Sequence, residues 1–127
     1  MPVSIRRVGN EPIIIAKFTD PFDYTDVEKA NDTTAKLITE LNRVVYRIED
    51  ISALSLDFST VVAGIGSAAE PHVAGTVRDT NARFIYVGQG AYVDMVVNSL
   101  SQEQYGGIKC PVFATVDEAI AYTRTTA

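Results

Sequence analysis

Residues 83–100 read RFIYVGQGAYVDMVVNSL. Arg83 to Gly88 make a continuous apolar run, which suits a central strand covered on both faces. After Gly88 the period changes. Tyr92, Val93, Val96, Val97 and Leu100 recur at the spacing of one helical face. A covered strand that turns through glycines into an amphipathic helix is the repeating unit of an α/β protein, because parallel strands need a crossover connection.

The same alternation extends outward in both directions. Downstream, QEQYGG closes the helix, with Gly106 or Gly107 as turn residues. Cys110–Phe113 is a short strand. Thr115 and Glu118 form the Thr-x-x-Glu signature of a capping box, opening a last helix with Val116, Ala119, Ile120 and Thr123 inward. Upstream, Ser4–Val8 and Ile13–Phe18 are strands joined by the short GNEP turn, which predicts an antiparallel pair. Thr25–Asn42 is an amphipathic helix, with Val27, Ala30, Thr34, Leu37, Ile38 and Leu41 on one face. Val44–Ile48 is a strand. Phe58, Val61, Val62, Ile65, Ala68 and Ala69 predict a further helix ending before Pro71, weakened by Gly64 and Gly66. The stretch PHVAGTVRDTN is read as loop.

The predicted order is ββαβαβαβα in one domain spanning 1–127. It implies a mixed, mostly parallel sheet with packed helices and right-handed crossovers. Ligands of such sheets gather at the strand carboxyl ends. Here that edge would carry loops 19–25, 49–57, 88–91 and 114–116.

Composition narrows the function classes. The 127 residues carry a net charge of −5, with 46% hydrophobic and 21% charged residues. Lysines and arginines are scattered, so no basic stripe marks a nucleic-acid or anionic-membrane partner. Cys110 is the only cysteine, so no internal disulfide can form, and it reads as a small apolar residue. His72 is the only histidine, follows Pro71 and has no acid or serine pattern around it. A zinc site or a Ser–His or Cys–His hydrolase is therefore not expected. The run PIIIA is too short for a signal peptide core, and no segment approaches the roughly 18 apolar residues of a membrane helix. A cytoplasmic chain without a cofactor is the expectation.

Four stretches could carry chemistry. Asp20, Asp23 and Asp26 are spaced by three. They could hold a divalent cation, but they equally favour the positive end of the next helix, and the EF-hand glycine and terminal glutamate are missing. Gly88 and Gly90 could let an anion approach backbone N–H groups, although a G-x-G without its third glycine also describes a tight βα turn. Arg78, in GTVRD, could clamp an anion. Asp57 and Ser59, in LDFSTVVAG, stand at a helix start where free N–H groups and the dipole suit a phosphate. No nucleophile–base–orienter set is visible, and no catalytic residue is assigned.

The element order, together with Asp20-Pro21-Phe22-Asp23, Asp50-Ile51-Ser52 and Asp57-Phe58-Ser59-Thr60, resembles the STAS domain, the fold of the anti-sigma factor antagonist SpoIIAA. The resemblance covers nearly the whole chain in element order. It implies a bacterial, non-enzymatic signalling switch in which a partner kinase phosphorylates the first serine of an Asp-Ser-Ser-Gly segment. Phe58 occupies that position and cannot accept a phosphoryl group, while Asp57 and Ser59 match the acid and the second serine. The expectation is a non-catalytic binding module with a kinase or anti-sigma-like protein partner. A nucleotide- or small-molecule-binding domain using Gly88, Gly90 and Arg78 is the alternative, followed by a small enzyme of unrecognised type. Homodimerisation through an edge strand or an apolar helix face is compatible with the sequence.

Overall fold

The computed structural model describes residues 3–54, 74–77, 79–101 and 109–126. Among them are five strands in one sheet, β1 (Val3–Arg7), β2 (Ile13–Phe18), β3 (Val45–Asp50), β4 (Ala82–Val87) and β5 (Val112–Phe113). Three helices accompany them, α1 (Tyr24–Leu41), α2 (Ala91–Leu100) and α3 (Val116–Thr126). The strands lie in chain order across the sheet. β1 is antiparallel to β2, and every later neighbour is parallel. The mixed, mostly parallel α/β architecture is the one the sequence predicts. The helix predicted from Phe58 lies outside the described residues.

Side chains alternate across the sheet and divide the core in two. Ile13, Ile15, Tyr46, Ile48, Ile85 and Val87 face α3 and pack on Ala119. Ala16, Phe18, Phe84 and Tyr86 point the other way and pack with Ala30 of α1 and Val93 of α2. Ile14 and Val45 meet Leu37 of α1 on that same side. The inward residues predicted for α1 and α3 are the ones that pack.

Local chemistry sets the ends of the elements. Asp23 and Asp26 form a capping box at the start of α1, and Asn42 ends the helix in the left-handed region at φ 50°. Thr115 accepts the N–H of Glu118 at 3.2 Å and starts α3. β3 continues through Asp50, two residues beyond the predicted Ile48, because Glu49 and Asp50 keep their pairing with Tyr86 and Val87. β5 starts at Val112 rather than Cys110, since Pro111 has no N–H for the ladder.

All six residues of β3 are buried, and three of them, Arg47, Glu49 and Asp50, are charged residues. Arg47 is completely buried. Its guanidinium donates to both carboxylate oxygens of Glu49 at 3.0 Å, to the side-chain carbonyl of Asn31 on α1, and to the main-chain carbonyl of Gly75 at 3.2 Å. Its Cζ lies over the Phe84 ring, 4.5 Å from the centroid. One side chain therefore joins the central strand, the first helix and the turn before β4. Gly75 sits at φ +73°, and a Cβ there would collide with the Asn31 carbonyl, so the turn can approach α1 only as glycine.

Replacing one member of a buried ion pair leaves an uncompensated charge, whereas replacing both removes the desolvation cost. Arg47→Met alone is expected to lower unfolding free energy by about 3–5 kcal/mol, and Arg47→Met with Glu49→Met to recover most of that loss. Urea denaturation of the two variants beside the wild type measures the difference.

Candidate functional site

The carboxyl ends of β2, β3 and β4 lie side by side, because Lys17, Asp50 and Val87 are in register across the three strands. This edge carries four of the residues singled out in the sequence: Asp20, Asp23, Gly88 and Gly90. Asp57, Ser59 and Arg78 lie outside the described residues.

The β2–α1 loop is held by the Phe18 and Phe22 rings, edge to face at 5.5 Å. Asp23 accepts the N–H of Asp26 at 3.2 Å, and Asp26 accepts the N–H of Asp23 at 2.9 Å. Both carboxylates thus cap the helix, which is the capping reading of the acidic cluster. Asp20 is exposed beside them. No group of three or more His, Cys, Asp or Glu side chains among the described residues is arranged to hold a metal ion.

At the end of β3, Asp50 is only 5% exposed. One of its oxygens accepts the Ser52 N–H at 3.1 Å and the Ser52 hydroxyl at 2.6 Å. This Asx turn redirects the chain as it leaves the sheet. The Ile51 N–H still donates to Val87 O at 3.0 Å, so the turn begins where the ladder ends. The Asp50-Ile51-Ser52 segment is therefore a built corner rather than a free acid.

Gly88 and Gly90 each have a local explanation. A Cβ on Gly88 would stand 3.1 Å from Val93 Cγ2 and 3.4 Å from Ile51 Cγ1, so the strand end is packed between α2 and the Asp50 corner. Gly90 has φ +109° and open space around it, so backbone conformation alone selects glycine there. Its carbonyl accepts the Asp94 N–H at 3.2 Å in the first turn of α2. Asp79, next to Arg78, accepts the N–H groups of Gly75 at 2.8 Å and Asn81 at 2.9 Å and so shapes the turn before β4.

Behind this edge lies a buried polar centre that sequence reasoning missed. Burial pushes the Glu49 carboxyl above its usual range, against the pull of Arg47. Burial, and then the nearby Glu49 carboxylate, push the Tyr86 hydroxyl well above the ordinary tyrosine value. The same two causes push the Cys110 thiol up to about 12. Cys110 is buried and stays a thiol, in keeping with its reading as a small apolar residue. The available signal was Arg47-x-Glu49, whose side chains must fall on one face if the strand runs through both.

The geometry defines a class: a five-stranded, mostly parallel sheet in sequential strand order with an antiparallel first strand, helices on both faces and a loop cluster at the carboxyl edge. The fold is SpoIIAA-like. Among solved structures the chain is similar to an uncharacterised DUF3478 family protein with a SpoIIAA-like fold from Shewanella loihica PV-4, with a TM-score of 0.58 and 13% sequence identity over 94% of this chain and 90% of that chain. No family model and no curated protein matches the sequence. Among the described residues no helix is long and apolar enough to cross a membrane.

Two outcomes follow from the site. Asp50→Ala removes an acceptor buried with two donors and is expected to cost about 1–3 kcal/mol in urea denaturation, with Asp50→Asn closer to wild type because it keeps a carbonyl acceptor. Glu49 titrates above the ordinary value of 4.5 in the folded chain, so the folded state binds the extra proton. Its stabilising contribution is present below 4.5 and is lost as pH rises through the raised folded value. Stability measured against pH should show this fall in the wild type and lose it in Glu49→Gln.

Proposed function

We propose that the chain is a non-catalytic, STAS-like binding module that engages a protein partner through the carboxyl-edge loops, as a cytoplasmic signalling component. The observation that carries the reading is the arrangement of acids at that edge. Asp23, Asp26 and Asp50 are bonded to backbone N–H groups and shape the loops, while Asp20 is exposed on the surface they form. An edge built in this way offers a fixed shape and negative charge, which suits recognition of a partner. Asp57 and Ser59 complete the proposed contact surface by their place in the sequence. With Phe58 at the usual acceptor position, Ser59, which matches the second serine of the segment, is the hydroxyl that a partner kinase of the anti-sigma type could phosphorylate.

The nucleotide-binding reading gains little from the glycines. Packing against Val93 and Ile51 accounts for Gly88, and a left-handed φ accounts for Gly90.

The test combines capture and turnover. The full chain is expected to capture a defined protein partner, and Asp20→Lys to weaken that capture at least about tenfold, as for loss of a charge at an interface, with unchanged melting temperature. Nucleotides at millimolar concentration are expected to leave the melting temperature in place, since saturating ligand would stabilise the fold by mass action. Robust turnover of a small substrate without any protein partner contradicts the proposal.

A further inference from the structure

A concave feature lies at the other end of the sheet, away from the carboxyl-edge loops. A groove of about 360 Å³ follows the outer edge of β4, between Phe84 and Ile85 on one side and Lys109, Cys110 and Pro111 on the other. Its origin is a single residue. Tyr86 N–H donates to Pro111 O, and Gly88 N–H donates to Phe113 O, both at 3.0 Å, so even-numbered residues of β4 turn their main-chain groups toward β5. In a parallel ladder the next carbonyl, that of Phe84, would accept the N–H of residue 111. That residue is proline and has no N–H. Pairing accordingly begins at Tyr86↔Val112. Among the described residues no backbone partner takes the Phe84 N–H either.

The groove thus follows the edge of a strand whose neighbour stops short, with Phe84 itself only 6% exposed, and it is to such an edge that an extended peptide adds. Its two walls suit the alternating side chains of such a peptide. Phe84 and Cys110 belong to the core layer under α1, and Ile85 and Tyr122 to the layer under α3. The rim is cationic in a chain of net charge −5. Arg83 and Lys109 are exposed there, and neither makes an ion pair with a described carboxylate. Among the described residues the one acid lining the groove, Asp79, already accepts two backbone N–H groups.

We propose that the amino-terminal half of β4 is a docking edge for an extended, acidic segment of a partner protein, which pairs with the Phe84 main chain and places carboxylates against Arg83 and Lys109. This surface is separate from the carboxyl-edge loops, and either can fail without the other.

The test is a titration of the ¹⁵N-labelled full chain with acetyl-Val-Glu-Val-Glu-Val-amide, read by NMR. The Phe84 amide should move downfield and become protected from exchange. A main-chain N-methylated version should bind about tenfold more weakly, the loss expected for one or two main-chain hydrogen bonds. Arg83→Ala with Lys109→Ala, both on the surface, should weaken binding about tenfold and flatten its salt dependence. Five results would each overturn the proposal: no change at Phe84 at millimolar peptide, equal binding of the N-methylated peptide, equal binding of a Val-Lys peptide, the same shifts with glutarate alone, or shifts confined to the carboxyl-edge loops.

Discussion

A cation with no access to water stands in the middle of this sheet. A guanidinium carries five N–H donors and no acceptor, so the burial of Arg47 obliges every neighbour to present an acceptor or a ring face. Glu49, Asn31, the Gly75 carbonyl and the Phe84 ring meet that demand from β3, α1, the turn before β4 and β4 itself. β3 and β4 are already tied by their ladder, but α1 and the turn could otherwise slide over the sheet on apolar contacts, which have no direction. Hydrogen bonds have direction, and here they fix the position of α1 over the sheet and the approach of residues 74–77 to it. Among the described residues every fully buried side-chain polar atom has a partner.

That constraint reaches the carboxyl edge through the strands. Glu49 is adjacent to Asp50, and β3 runs rigidly from the Arg47 centre to the Asp50–Ser52 corner. Tyr86, opposite Glu49, leads two residues later into Gly88, which packs against Val93 and Ile51. α1 is joined to Arg47 through Asn31 and begins at the Asp23–Asp26 capping box. The three loops of the proposed contact surface are therefore anchored to one buried group. A surface that binds without reshaping keeps the entropy cost of recognition low.

Much of this was legible in the sequence. Periodicity located α1 and α3 to within a residue or two, because their apolar stripes are clean and both starts carry cap residues. Glycines and the change of period at Gly88 marked the β4–α2 turn. The mostly parallel sheet followed from the alternation of strand and helix. What was not legible has a common cause, which is distance along the chain. Nothing local tells that Arg47 will meet Asn31, 16 residues earlier, or Gly75, 28 residues later. Charged residues usually face solvent, and the sequence reading ended the strand at Ile48, leaving Glu49 and Asp50 to the loop that follows. Asp50 and Ser52 were visible as part of a motif, but their role as a corner needs the geometry. The acidic cluster was readable as capping, since that chemistry is local.

The dependence of α1, β3 and the turn at residues 74–77 on one buried guanidinium is tested most directly by native-state hydrogen exchange. The Arg47 Nε–H and the main-chain amides of Gly75 and of β3 should exchange with a common opening free energy close to that of global unfolding. Fast exchange of the Arg47 Nε–H or the Gly75 amide while β3 stays protected would show that the turn opens independently, and would contradict the account.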